Sequence, residues 1–535
     1  MFTNRKTLLA MSVASVFALS GCSSDDDKNE VVPDPVVPPV TEIVPPDTIV
    51  TEQPAKVFSA SVINLTNADA LEGAMVTFLV DGEAATNLTD VNGEDLNMVT
   101  VDDTGSFTFL SKEGATGEVT ALVTSDGYIS KSFNVDLDVE VEEDSNEIAL
   151  QFALIAEDSD GLTQASTEVE VASATTTEAI EVKADKDGAK SDVTIPAGTT
   201  LKDANGDAIS GGTVKLNVLA ADSSKSSAGV IVPEGLNAAD AAVVASPVGV
   251  TDIKMTAGDT KIKQFDPAIN VSVVIPADSG VAVNDMLDLA SYNEDTGLWQ
   301  QELNKATISS MNTDGSYNAS FSTNHLTFFS VNKTTPVCTS GITINVNSGT
   351  TPARGLAVSL TSSDGSIGSY LRGQNKTIVS ANASSRYGIS ADSTANVRLY
   401  DYSGNDWYNS NGEVPVCGTI NVDLANPVET FDTNLTLSGT CSADSSVTPD
   451  LSGSIVTYAK NGKAASVASS AGNSTFNLTG LEVGASYTVR ATIRGAQVAS
   501  GGQSQVFTFT DVQSGTNLNG DVAIQCEERE VTGTN

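Results

Sequence analysis

The chain has a single histidine, His325, and Thr327 stands two positions beyond it with Leu326 between. A general base close to a hydroxyl suits chemistry on the peptide bond that joins them. His325 would take the Thr327 hydroxyl proton, and the oxygen would attack the Leu326 carbonyl carbon. The acyl group would pass from nitrogen to oxygen, and water would then open the ester. The products would be 22–326 and 327–535, and each molecule would react once. Such a step needs a strained peptide. The competing reading is a half-buried strand histidine beside an ordinary threonine.

Other catalytic plans lack their residues. A His-Glu-x-x-His zinc site cannot be built from one histidine, and neither a Gly-x-Ser-x-Gly elbow nor a phosphate loop opening a helix is present. A carboxylate pair for glycoside hydrolysis cannot be picked out from 68 acidic residues, and aromatics are only 5% of the chain. The exception is Tyr400, Tyr402, Trp407 and Tyr408, in a polar stretch with Asp401, Asn405 and Asp406. Tyr402, Trp407 and Tyr408 could form a platform for a sugar ring or a partner protein. Alternatively, the tyrosines are strand residues and Trp407 folds onto the core. Asp203-Ala204-Asn205-Gly206-Asp207 opens like a calcium loop, but the twelfth position is Val214 instead of Glu. A hairpin turn is the better reading, with weak calcium binding as the alternative; no metal site and no cofactor are expected.

Lys plus Arg number 27 against 68 Asp plus Glu, a net charge of -41 in 535 residues. Such a surface repels phosphate backbones and anionic headgroups, which excludes nucleic acid and electrostatic membrane binding. The chain opens with Arg5-Lys6 and an apolar run from Leu8 to Leu19, the form of a secretory signal peptide. Leu19-Ser20-Gly21-Cys22 resembles the lipobox of bacterial lipoproteins. The resemblance implies cleavage before Cys22, a covalent lipid on that cysteine, and a membrane anchor made by the lipid alone. Ser23 fits an outer-membrane destination in the cell envelope.

The elements expected to carry these residues are all β: tandem immunoglobulin-like or transthyretin-like sandwiches on a disordered N-terminal tether. Residues 1–21 are the signal peptide. Residues 22–56 form the tether, with Asp25-Asp26-Asp27 and prolines from Pro33 to Pro46. In 57–156, short apolar runs alternate with turn signals such as Asp81-Gly82 and Asn92-Gly93. Gly73-Ala74-Met75-Val76, Asp103-Thr104-Gly105-Ser106-Phe107 and Gly127-Tyr128 in this unit resemble the carboxypeptidase-regulatory-like family. That family implies a transthyretin-like sandwich that accompanies other domains and does no chemistry. Polar residues 157–192 are expected as a linker or edge region.

The unit 193–334 ends in the His325-Leu326-Thr327 strand, and Ala238 to Ala245 is expected as the one short helix. The triplet and the following Phe328-Phe329-Ser330-Val331 resemble the self-cleavage motif of the autoproteolysis-inducing sandwich of adhesion receptors. Thr296-Gly297-Leu298-Trp299 and Ile195-Pro196-Ala197-Gly198 resemble the same group, which includes ankyrin-type relatives. The chain departs from it where Ser320, Phe321, Ser322 and Thr323 replace the family's framing cysteines. The last two units, 335–430 and 431–530, hold Cys338 with Cys417 and Cys441 with Cys526 at nearly equal separations. An internal repeat with disulfides Cys338-Cys417 and Cys441-Cys526 follows, a Cys417-Cys441 link being the alternative. The expected function is a non-enzymatic envelope lipoprotein, a string of sandwiches for adhesion, assembly or ligand capture with its working surface far from the anchor. Its partner would be a protein or glycan. The alternatives are a self-processing module cut at Leu326-Thr327 and an accessory carbohydrate-binding protein.

Overall fold

The computed structural model describes residues 40–141 and 145–531. The chain forms two compact units. The smaller one holds the described chain ends, 40–42 and 528–531, which belong to a two-stranded sheet of Val40–Val44 and Glu527–Val531. The larger unit, Ile43–Glu527, contains four β-sandwiches. The expected signal peptide, the expected lipidation site Cys22 and the expected tether up to residue 39 lie outside the described residues.

Alternation with a period of two builds the strands. In Glu118–Thr124, Val119, Ala121 and Val123 point into a core while Thr120, Leu122 and Thr124 are half-buried. The first sandwich pairs Val57–Asn64 in parallel with Glu147–Leu154 and antiparallel with Ser106–Ser111. Its second sheet centres on Met75–Val80 and Glu118–Thr124. Phe58, Phe78 and Phe109 fill the space between, with Phe109 4.9 Å from Phe58 and 5.1 Å from Phe78. The third sandwich repeats the plan, with Ile342–Ser348 parallel to Gly418–Asp423. So does the fourth, with Thr430–Cys441 parallel to Leu518–Ile524. The repeat therefore includes the first sandwich, which has no cysteines to announce it.

The second sandwich is one 13-stranded sheet folded over its own core. Of the two readings of polar residues 157–192, the structure has the edge region and not the linker: they supply Leu162–Val171, paired with Gly212–Ala221, and Ile180–Lys186, paired with Ala189–Ile195. These are the outermost strands of the sheet, so their alternate side chains stay polar. The expected helix at Ala238 to Ala245 is also absent. Val243 opens the long strand Val243–Ala257, and the Asn237 side chain bonds both the N–H and the carbonyl of Ala245, holding it extended. Pairing with Phe328–Pro336 overrides the alanine content. Among the described residues the α-helix is the single turn Ser226–Val230.

The first sandwich bonds to all three others. Its Lys131 ammonium, 3% exposed, donates to Val230 O of the second and Ser366 Oγ of the third, both at 2.7 Å. Its Ser106 Oγ and Glu147 carboxylate accept the N–H groups of Ala465 and Val467 in the fourth, at 3.0 and 3.3 Å. Arg490 of the fourth pairs with Asp102 and Asp103 at 3.2 and 3.0 Å. The second half of the expected tether is docked rather than free. Val50 N donates to Arg494 O at 3.0 Å, and the Gln53 amide donates to Ser452 O and Ser454 O at 2.6 and 2.8 Å. Three sandwiches thus pack around the first, and the N-terminal segment lies on the fourth. The disulfide-braced pair is therefore not the far end of a string.

Candidate functional site

The strands Tyr317–His325 and Phe328–Pro336 belong to opposite halves of the folded sheet. The dipeptide Leu326-Thr327 carries the chain from one half to the other. Its ends are fixed: Leu326 N donates to Lys263 O at 2.9 Å, and Ile253 N donates to Thr327 O at 3.2 Å. Leu326 and Thr327 are 3% and 5% exposed.

The side chains on either side point to different partners. Thr327 Oγ1 donates to the carbonyl of Tyr292. The His325 ring lies the other way, with Nδ1 3.2 Å from Thr323 Oγ1 and 3.3 Å from Asn324 Oδ1, and Nε2 3.3 Å from Glu302 Oε1. Its ring also packs 5.4 Å from that of Phe329. The structure thus places the predicted base, carbonyl and hydroxyl at one chain crossover but turns the imidazole onto Glu302 and the hydroxyl onto a main-chain acceptor. An N-to-O acyl shift would require both bonds to break first. A cleft of about 510 Å³, lined by Trp299, His325, Leu326 and Thr327, opens beside the dipeptide. Trp299 packs tilted against Tyr292, ring centres 5.3 Å apart, and donates from Nε1 to Pro233 O and Glu234 O at 3.3 and 3.2 Å.

The aromatic platform does not form. Alternation in Asp406–Pro415 turns Trp407 into the core of the third sandwich, 5% exposed, with Nε1 on Asp401 Oδ2 at 3.1 Å. Tyr408 packs against the same core. Tyr402 is covered by the Arg354 guanidinium 3.6 Å above its ring and by Tyr370 at 5.6 Å. Arg354 also lies 4.8 Å from Tyr458 of the fourth sandwich, so the stack joins two sandwiches. Tyr400 donates to Gln151 of the first. Tyr400 and Tyr402 thus hold sandwiches together, while Trp407 and Tyr408 pack within one.

Asp203 Oδ1 accepts from the backbone N–H groups of Asn205 and Asp207, both at 2.9 Å, and so closes a turn as expected. Among the described residues there is no cluster of His, Cys, Asp and Glu suited to a metal. The disulfides are Cys338-Cys417 and Cys441-Cys526, with Cα separations of 5.6 and 5.4 Å. Each ties the first strand of its sandwich to the last.

No protein-family model matches the chain, and no curated protein matches it. Among solved structures, it is similar to the Bacillus anthracis TIE protein at 12% identity and a TM-score of 0.16, over 69% of this chain and 58% of that one. It is similar to BcpA, the major pilin subunit of Bacillus cereus, at 9% identity and a TM-score of 0.15, over 88% and 99%. It is also similar to the major pilin SpaD of Corynebacterium diphtheriae at 8% identity and a TM-score of 0.15, over 89% and 100%. The chain spans little more than half the length of the first of these. At such scores these likenesses carry no argument about function.

Proposed function

We propose that this chain is a non-enzymatic cell-envelope lipoprotein, an adhesion or structural module held to the outer membrane by a lipid on Cys22. One observation carries the reading: four sandwiches are bonded into one body, and the segment leading back to Cys22 is clamped onto it through Val50 and Gln53. Clamping of this kind suits a part that presents a fixed surface to a protein or glycan partner. The lipobox supplies the anchor, and the acidic surface keeps the body off anionic headgroups.

A Cys22→Ser variant tests the anchor. The parent incorporates labelled palmitate and sediments with the outer membrane, and the variant stays unlabelled and soluble. A parent without label, or a variant that still sediments, overturns the reading. The same preparation on a denaturing gel gives one band of the uncut chain for both the parent and His325→Ala. Two bands in the parent that merge in the variant would instead establish cleavage at Leu326-Thr327.

A further inference from the structure

A cavity of about 260 Å³ lies between the first sandwich and the outer face of the second. Its walls are apolar, with Leu122 and Ile129 on one side and Leu326 and Phe328 on the other. Four buried polar groups also line it: Asp252, Tyr292, Ser132 and Lys131, which are 8%, 2%, 0% and 3% exposed, the Lys131 ammonium being turned away onto Val230 O and Ser366 Oγ. Asp252 gives Oδ2 to Lys254 at 2.7 Å. Its Oδ1 has no hydrogen-bond partner among the described residues, and the hydroxyls of Tyr292 and Ser132 have none beyond each other. Buried polar atoms of this kind are costly unless something satisfies them.

The mouth is ionic. Lys254 bridges Asp252 and Glu294 at 2.7 and 2.9 Å, Lys263 reaches Glu294 and Asp295 at 3.6 Å each, and Lys261 holds Asp295 at 2.7 Å. Apart from Lys131, which is held by Val230 O and Ser366 Oγ, the three lysines of the mouth balance its three carboxylates, so a ligand of either net charge would disturb the set, whereas one carrying both signs would not. The Asp252 oxygen can only accept, and each hydroxyl oxygen can accept as well, so an ammonium with three donors matches the group. Burial, and then the charge of Glu294, push the Asp252 carboxyl up to about 6, and a cationic head beside it would relieve that load.

We propose that this cavity binds a free α-amino acid with an aliphatic side chain. The ammonium sits at Asp252 Oδ1 with the Tyr292 and Ser132 hydroxyls, the carboxylate at the rim lysines Lys254 and Lys263, and the side chain against Leu122, Ile129 and Phe328.

The test is calorimetric titration of the purified mature chain with L-leucine, L-isoleucine and L-methionine. Isoamylamine, which lacks the carboxylate, and isovalerate, which lacks the ammonium, serve as controls. At least one amino acid should give saturable heat, with each control weaker by about tenfold or more. Asp252→Asn should weaken the amino acid by about tenfold or more. Leu122→Trp, which fills the space from the first sandwich, should abolish binding while the thermal unfolding midpoint is kept. Absence of saturable heat with all three amino acids overturns the proposal, as does undiminished binding by Leu122→Trp or by either control. Should Asp252→Asn fail to fold, the Leu122→Trp result decides alone.

Discussion

Trp407 shows how a residue that invites a binding role can belong to packing. In a polar stretch its ring reads as a landing place for a ligand, yet the strand's alternation turns it inward onto Val397 and Leu399 in the core of the third sandwich. Trp407→Ala should therefore cost about 3–5 kcal/mol of stability, the range for emptying a large aromatic site. A urea titration followed by tyrosine fluorescence reads this directly, and a variant that melts with the parent would return the ring to the surface. Sequence could not decide the matter, because the covering groups come from elsewhere: Arg354 caps Tyr402, and Gln151 accepts from Tyr400. The triplet at the sheet crossover was legible as residue types but not as a constellation. Which way an imidazole turns depends on Glu302, which is remote in sequence and contributed by neither of the strands that the triplet joins.

At the scale of elements, Lys131 decides how three sandwiches meet. Burial pulls its ammonium down to about 8, and the charge of Glu234 opposes this only in part. Between about pH 8 and 10.5 the unfolded chain holds this proton and the folded chain does not, so this group makes stability rise with pH across that window. The stability of the parent minus that of Lys131→Met should grow by up to about 3 kcal/mol over the interval. Tyrosines that titrate there cancel in the difference, and a flat difference would mean that the junction leaves Lys131 unperturbed. Strands with a buried face were readable from alternation and from turns such as Asp81-Gly82. The strands in 157–192 were not, because an edge strand may keep polar residues on alternate positions without loss. Burial of Lys131 was equally hidden: its acceptors stand 99 and 235 positions away.

For the whole molecule, the decisive contact is between the N-terminal segment and the fourth sandwich. A Cβ at Gly453 would fall on the carbonyl of Val50, and the backbone there needs no left-handed conformation, so the lack of a side chain serves the contact alone. Gly453→Ala should release residues 46–53, seen as faster amide exchange and new protease cuts there with the sandwich cores still protected. Unchanged exchange would show that the segment is held elsewhere.

The disulfides also set how the molecule would carry a load. Tension entering the third sandwich at Cys338 crosses to Cys417, and tension running along Thr430–Cys441 crosses to Cys526. The covalent force path therefore bypasses nearly all of both domains, whose interiors stay slack while the two bonds bear the pull. Stretched singly between residues 336 and 528, the oxidised chain should lengthen little, whereas the reduced chain should pay out on the order of 250 Å more from each domain. These two sandwiches would then act as reels of hidden length, locked while the disulfides are oxidised and freed by a reductant.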